Sequence, residues 1–340
     1  MDDRLFDETL PQLPMDLLIV EPIPADVLQW LSSRYAVRWE PELAMDPLAC
    51  RVALSAAHAA ILPPAVMLDA SVLWHSPHLR VVGRMSAGVE NIDLDACARA
   101  GVEVVRASDA SAAAEAEFVI GALLALLRRV PVVSDEGLLV GRELGGSTVG
   151  LVGATSTAQP LARLLSAFGA QVLGYDPGLH ADDPGWAQAG VEPVALLDLM
   201  CDSDSVCVLL HHYPRFEGLF GERLLSAAKP DQVIVSLSHS TLFDEDALAR
   251  ALREGPLHAA WLDSLEPGAT DPGRPLRHLD NLQTTPRVAS TTRESRLRGA
   301  WVVAQRIDEV LRQARSTRSR VSPPPPPRGR ADPAGVTEPV

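Results

Sequence analysis

The sequence predicts an α/β protein with its strands in parallel layers, and three observations carry that expectation. Short apolar runs alternate with helical stretches along most of the chain, the pattern of strand–helix–strand crossovers. Residues 147–177, STVGLVGATSTAQPLARLLSAFGAQVLGYDP, read as strand, turn, helix and strand in succession. At 340 residues and 47% hydrophobic, the chain is long and apolar enough for two such units, each with its own core.

The elements follow in order. Residues 1–14 read as a loose leader. Leu17 to Val20 is a strand closed by Glu21-Pro22, Ala25 to Arg34 a helix, and Tyr35 to Trp39 a strand. Ala59 to Leu62 is a strand stopped by Pro63-Pro64, and Leu79 to Arg84 and Val102 to Val105 are two more. Ala112 to Arg129 is a long helix ending before Pro131; apolar residues lie nearly all round it, so it is expected to be buried between layers. In the central stretch Thr148 to Val152 is a strand, Gly153 opens a turn, and Pro160 sits early in the next helix, where its missing N–H costs little. Leu161, Leu164, Leu165 and Phe168 recur at helical spacing, Gly169 stops the helix, and Val172 to Tyr175 is a strand ending at Asp176. Then come a helix at Leu196 to Met200, a strand at Ser205 to Leu210, a helix at Arg223 to Ala228 and a strand at Val233 to Leu237. Asp244 to Arg253 is a helix with an acidic first turn, Leu257 to Leu262 a strand, and Leu282 to Thr285 another. Trp301 to Arg315 is a closing amphipathic helix, and 316–340, with Pro323 to Pro327, reads as a disordered, polyproline-like tail.

The central stretch is half of a mononucleotide-binding unit. Its turn, Gly153-Ala154-Thr155-Ser156-Thr157-Ala158, keeps the first glycine of G-x-G-x-x-G/A and the permitted alanine at the third position. The middle glycine is Thr155, whose Cβ narrows the approach to a pyrophosphate. The helix N-terminus still offers free N–H groups and a positive dipole end, and the hydroxyls of Thr155, Ser156 and Thr157 would add donors. Asp176 lies 23 residues after Gly153, where such a unit places the carboxylate that holds an adenosine ribose. A carboxylate there favours NAD over NADP, since it would repel a 2′-phosphate. The other reading of Asp176 is an ordinary Asp-Pro turn.

Composition excludes several classes. A net charge of −14 argues against nucleic acid or an anionic membrane as partner, and the apolar run Phe118 to Leu127 is too short to span a bilayer. The acidic start MDDRLFDETL is not a signal peptide, and Cys50, Cys97, Cys201 and Cys207 form no C-x-x-C pair. They read as reduced, buried thiols of a cytoplasmic protein. The one lysine, Lys229, precedes Pro230 at a helix end, which leaves no P-loop lysine and no good Schiff-base candidate. Of His211-His212, adjacent residues on a strand point to opposite faces, so no two-histidine metal site is expected; His211 lines the cofactor cleft or is an ordinary loop histidine. No metal site is read anywhere in the chain.

The order of motifs from about residue 50 to 310 resembles the D-isomer-specific 2-hydroxyacid dehydrogenases. Arg84-Met85-Ser86-Ala87-Gly88-Val89-Glu90-Asn91-Ile92-Asp93 is similar to that family's substrate loop R-x-G-x-G-x-D-N-I-D. Ala116-Glu117-Phe118 and the helix that follows resemble its domain-crossing helix, Asp244-Glu245-Asp246-Ala247-Leu248 its D-E-D-A-L, and Thr285-Pro286 its T-P-H. Leu262-Asp263 and Glu266-Pro267 resemble its L-D-V-F-x-x-E-P with shortened spacing. The resemblance implies two doubly wound domains, Rossmann-like and flavodoxin-like, with a cleft between them. Residues 1–108 plus 288–315 would form the substrate domain and 109–287 the NAD-binding domain. It also implies NAD as cofactor, a small 2-hydroxy or 2-keto acid as substrate, and a homodimer built through the cofactor domain. Ser86, Ala87 and Gly88 would meet the substrate, and Asp263, which ends a strand, would meet the nicotinamide amide; its other reading is a loop carboxylate.

The catalytic positions depart from the family. Its substrate-clamping arginine is His239 here, its acid–base histidine is Arg287, and the glutamate that tunes that histidine survives as Glu266. Reducing a 2-keto acid needs a cation to orient the carboxylate, a proton donor near the keto oxygen and a hydride donor on the opposite face. All the residue types remain, with two exchanged. Glu266 is then expected to pair with Arg287 and to leave His239 without an orienting carboxylate. Two readings follow: an NAD-linked oxidoreductase on an unusual small acid, or a catalytically silent relative that binds a nucleotide or metabolite and acts as a regulatory or partner protein.

Overall fold

The computed structural model describes residues 15–320 apart from Ala87, Glu90, Val130 and Pro267. The leader at 1–14, the tail from 321 onward and the substrate-loop residue Ala87 thus lie outside the described residues.

The first sheet is built from β1 (Met15–Ile19), β2 (Val37–Trp39), β3 (Ala57–Ile61), β4 (Val81–Arg84) and β5 (Glu103–Arg106). All pairs are parallel and the order is β2-β1-β3-β4-β5, the doubly wound order in which the first strand sits inside the second. The connecting helices are α1 (Ala25–Ser32), α2 (Pro47–Ser55), α3 (Ala70–Trp74) and α4 (Leu94–Ala100). Side chains alternate in the manner a buried strand requires: Leu17 and Ile19 face α1, while Leu18 lies in the opposite cluster with Cys50 and Leu54 of α2.

A crossing helix, α5 (Ala112–Arg129), and a hairpin of β6 (Val132–Val133) with β7 (Leu139–Val140) lead to the second sheet. Its strands are β8 (Thr148–Val152), β9 (Gln171–Tyr175), β10 (Glu192–Pro193), β11 (Ser205–Val208), β12 (Gln232–Ser236), β13 (Leu257–Leu262) and β14 (Leu282–Thr284). They run parallel in the order β10-β9-β8-β11-β12-β13-β14, which reverses direction between β8 and β11. The helices α6 (Ala158–Ala167), α7 (Pro184–Ala189), α8 (Leu196–Asp202), α9 (Glu222–Leu225) and α10 (Glu245–Arg253) complete this layer. One face packs Val149, Leu151, Val233 and Val235 against α5 and α6; the other packs Val152, Val206, Val208 and Ile234 against α8, α9 and α10.

The last helix, α11 (Arg293–Arg320), returns to the first sheet. Ala300, Val303, Ala304, Ile307 and Leu311 recur at helical spacing and are buried against Ile61 and Val81. Burying the Val, Ile and Leu side chains of that stripe is worth roughly 1.5–3 kcal/mol each. Gly83 makes the approach possible, because a Cβ there would lie 2.2 Å from Val303 Cγ1.

Several expectations change in detail. The closing helix begins at Arg293 and continues to Arg320, so residues 316–320 belong to a helix and not to a tail. Its first two turns are polar, ESRLRG, and show no apolar period to read. α5 has an exposed stripe at Ala113, Glu117 and Gly121, so it is not buried all round. Among the described residues it is the one helix long and apolar enough to cross a membrane, yet it packs on α6, β12 and β13 as a core helix. Phe168 ends α6 at 43% exposure, turned out of the apolar stripe that buries Leu161 and Leu165. Cys201 is exposed near the end of α8, whereas burial pushes the thiols of Cys50, Cys97 (to about 11) and Cys207 up.

Candidate active site

The carboxyl edge of the second sheet gathers most of the candidate residues. At the end of β8 the chain turns at Gly153 with φ +113°, and a Cβ there would lie 2.7 Å from the Leu210 backbone nitrogen. Glycine is therefore required, and it lets the turn lie against the segment after β11. β8 and β11 flank the point where strand order reverses, the place where open α/β sheets bind ligands. Asp176, just past β9, accepts hydrogen bonds from the Ala154 and Gly178 N–H groups, each at 2.7 Å.

Two of the three hydroxyls of this turn, those of Ser156 and Thr157, are directed away from it. Thr157, the N-cap of α6, is 1% exposed and donates to the Glu115 carboxylate of α5. Ser111 donates to the other Glu115 oxygen at 2.8 Å, and the Ser156 hydroxyl reaches the Ser108 carbonyl at 3.4 Å. Thr155 is half-buried within the turn and Ala158 buried at the start of α6. No side chain caps the start of α6; the Ala158 N–H turns back to the Thr155 carbonyl at 2.9 Å and Pro160 has none, so among the first helical residues Gln159 keeps an N–H with capacity for an anion.

Three adjacent strand ends form the other part of the site. His239 follows β12, Asp263 to Glu266 follow β13, and Arg287 follows β14. His239 Nε2 lies 2.6 Å from Glu266 Oε1, the reverse of the expected Glu266–Arg287 pairing. The reason is local: the Glu266 N–H donates to the Ser240 hydroxyl at 3.0 Å, which draws the segment after β13 over the loop that carries His239. His239 Nδ1 lies 2.9 Å from the Thr241 hydroxyl, which in turn lies 3.4 Å from His212 Nδ1. The His212 and His239 ring centroids are 4.5 Å apart, and His212 and its neighbour His211 are both exposed.

Arg287 has φ +55°, a left-handed conformation that a side chain rarely adopts without support. The support is Asp263. Its carboxylate, 4% exposed, accepts from the Thr285 hydroxyl at 2.6 Å and from the Val288 and Ala289 N–H groups at 2.9 Å. Its carbonyl accepts from the Arg287 N–H at 2.6 Å. The Arg287 side chain is exposed and donates through Nε to the Ser264 hydroxyl at 3.0 Å. Arg287 and His239 are thus both anchored to one short segment, residues 264–266.

In the first sheet the substrate-loop sequence winds about Arg84, which is 1% exposed. Its guanidinium donates to the Leu62 carbonyl at 2.6 Å, to the Gly88 carbonyl at 3.1 Å and to the exposed Ser86 hydroxyl at 3.1 Å. Glu21, at the end of β1, faces the same loop. Burial pushes its carboxyl up to about 7, against the pull of Arg84, the Met85 N–H and Arg296.

The profile of the D-isomer specific 2-hydroxyacid dehydrogenase NAD binding domain matches residues 122–289. D-3-phosphoglycerate dehydrogenase of Mycobacterium tuberculosis is 33% identical over 306 residues, 87% of this chain and 56% of that protein. The (S)-sulfolactate dehydrogenase of Chromohalobacter salexigens is 30% identical over 308 residues, 87% of this chain and 98% of that protein. The chain belongs to the D-isomer specific 2-hydroxyacid dehydrogenase family. The crystal structure of the TT0316 protein from Thermus thermophilus aligns with a TM-score of 0.73 at 27% identity, covering 88% of this chain and 97% of that one. The chain spans about half the length of the phosphoglycerate dehydrogenases it matches, 56%.

The family's NAD fits the residues present. The uncapped start of α6 lies at the reversal of strand order, and Asp176 stands at the end of the next strand. Residues that sequence reasoning passed over are Glu21, Glu115, Thr241 and Ser264. Glu21 carried a readable signal, an acid at the end of a predicted parallel strand; Glu115 and Ser264 had none, because each is defined by a partner distant in sequence, whereas Thr241 stands two positions from His239 and was within reach of a local reading.

Proposed function

We propose that this protein is an NAD-linked oxidoreductase that interconverts a small 2-hydroxy acid and its 2-keto acid. The observation that carries the reading is the His239–Glu266 pair at 2.6 Å, set on the same segment that anchors Arg287. Proton donor and carboxylate clamp have exchanged strand ends relative to the family, and the glutamate has followed the histidine. When bound, NADH supplies the hydride to the keto carbon. Arg287 binds the substrate carboxylate as a planar two-pronged donor. The His239–Glu266 pair supplies the proton for the keto oxygen, Glu266 holding the imidazolium that gives it up. Asp263 fixes the loop that carries Arg287, and its Oδ2, with one acceptor site beyond the Ala289 N–H, is assigned to the nicotinamide amide.

Toward the other end of the cofactor, Asp176 holds the adenosine ribose, and the turn Gly153 to Ala158 with the Gln159 N–H of α6 receives the pyrophosphate. Ser86, Ala87 and Gly88 are assigned to the substrate. Residues 1–108 with 288–315 act as the substrate domain and 109–287 as the cofactor domain. We place the protein in the cytoplasm as a homodimer joined through the cofactor domain; the exposed Val133, Leu138 and Leu139 of its hairpin support such a contact.

The test is loss of NADH absorbance over a panel of small 2-keto acids. Turnover of at least one is expected, with KM raised about tenfold or more in Arg287→Gln, from lost charge-assisted bonds. In His239→Asn kcat should fall about a hundredfold or more. No turnover across the panel, or unchanged kinetics in both variants, would overturn the reading.

A further inference from the structure

Both ring nitrogens of His239 are engaged within the protein, Nε2 by Glu266 at 2.6 Å and Nδ1 by the Thr241 hydroxyl at 2.9 Å. In this arrangement neither nitrogen faces a keto oxygen directly. The chain of contacts continues outward. The Thr241 hydroxyl, able to donate and accept at once, lies 3.4 Å from His212 Nδ1, and the two imidazoles lie against each other at 4.5 Å. In the series Glu266, His239, Thr241, His212 the first three are half-buried, His239 at 21% and Glu266 at 41% side-chain exposure, and His212 is the exposed end. Two positive charges at that spacing would repel, and the one carboxylate beside them offsets a single charge.

From this geometry we propose that His212 is the catalytic residue that hands the proton to the substrate, and that His239, Thr241 and Glu266 form the relay behind it. The inference rests on the dehydrogenase reading above. In the reducing direction the His212 Nε2–H proton goes to the keto oxygen as the hydride arrives at carbon. His212 Nδ1 takes the Thr241 hydroxyl proton, and Thr241 takes the Nδ1 proton of the His239 imidazolium. His239 ends neutral, its Nε2–H still on the Glu266 carboxylate. One proton and one hydride enter the substrate and no other bond changes. The segment that carries His212 is tied to the loop after β12, where the Ser238 hydroxyl donates to the Leu210 carbonyl at 2.8 Å. The other charged or titratable groups on the converging segments include His211, Tyr213, Arg215, Glu217, Asp244, Asp263 and Arg287. Of these Asp244 caps α10 through the Ala247 N–H, and Arg215 lies over Tyr213 and Phe216.

The test has a readout that needs no turnover. Histidine ring resonances of the full chain, assigned with single His→Asn variants, are followed through a pH titration in wild type, Glu266→Gln and Thr241→Val. His212 and His239 should titrate as one coupled pair, with the His212 midpoint moving in both variants. A His212 curve identical in all three proteins would overturn the relay. With a turned-over keto acid, His212→Asn should lower kcat about a hundredfold and shift the fall of rate at high pH, with NADH affinity unchanged. Wild-type kcat and pH profile in His212→Asn would overturn the assignment. Coupled titration without any turnover would sink the dehydrogenase reading and leave the relay standing, so the two failures are distinct.

Discussion

Replacing Glu21 by Gln should change how stability depends on pH, and the structure fixes the direction. Glu21 lies just past the first strand with Oε1 buried and without a hydrogen-bond partner among the described residues, and burial raises its carboxyl from 4.5 to about 7. Arg84, the Met85 N–H and Arg296 oppose the rise without cancelling it. Moving the ionisation from 4.5 to about 7 corresponds to about 3 kcal/mol between the protonated and charged forms. The folded state favours the protonated acid, so the contribution is complete below pH 4.5 and is lost as pH rises through about 7. Gln stays neutral throughout. Glu21→Gln should therefore match wild type near the acid end and gain on it steadily, reaching about 3 kcal/mol above neutral pH. Urea denaturation followed by circular dichroism at several pH values between 5 and 8 measures the difference. Parallel stability curves for the two proteins would refute the reasoning. The residue also bears on the site, since its charge acts on the loop that carries Ser86 and Gly88.

Three further outcomes follow from the same geometry. Gly153→Ala places a Cβ 2.7 Å from the Leu210 nitrogen at φ +113° and should lose NADH binding with about 1–3 kcal/mol of stability, read by calorimetry and denaturation. Asp263→Asn replaces an acceptor that takes one hydroxyl and two backbone N–H groups; about 1–3 kcal/mol of stability should go, and substrate KM should rise as Arg287 loosens. Gly83→Ala drives a Cβ to 2.2 Å from Val303 Cγ1 and should lower stability by about 1–3 kcal/mol while leaving isolated NADH binding intact, because it parts α11 from the first sheet and not the cofactor turn.

How much of this was legible in the sequence differs by kind of feature. α5 and β13 were read to the residue, because a Pro follows the first and an apolar run interrupted only by His258, set between Gly255-Pro256 and Asp263, defines the second. The short helices α3, α4 and α7 were not, since five to seven residues hold too few turns to show a period. The unit from β8 to β9 was clear from Gly153, Pro160, Gly169 and Asp176, each of which acts locally on the backbone. The pairings that decide the site were not. Thr157 reads as a donor at a helix start, yet its hydroxyl is spent on Glu115, 42 positions away. Glu266 was expected on Arg287, yet Ser240 draws it to His239. Such contacts depend on which strand ends lie side by side, a property of the β12-β13-β14 order that no local pattern encodes.

The central claim is that the carboxyl edge of the second sheet still receives NAD despite Thr155, and calorimetric titration with NADH, NADPH alongside, tests it most directly. Micromolar binding of NADH, weaker binding of NADPH and loss of NADH binding in Asp176→Ala are the results expected, since the proposal assigns the carboxylate at the end of β9 to a ribose, where it would repel a 2′-phosphate. Absence of binding by either nucleotide would contradict the account. It would mean that the Thr155 Cβ closes the turn and that the chain kept the family's fold without its chemistry.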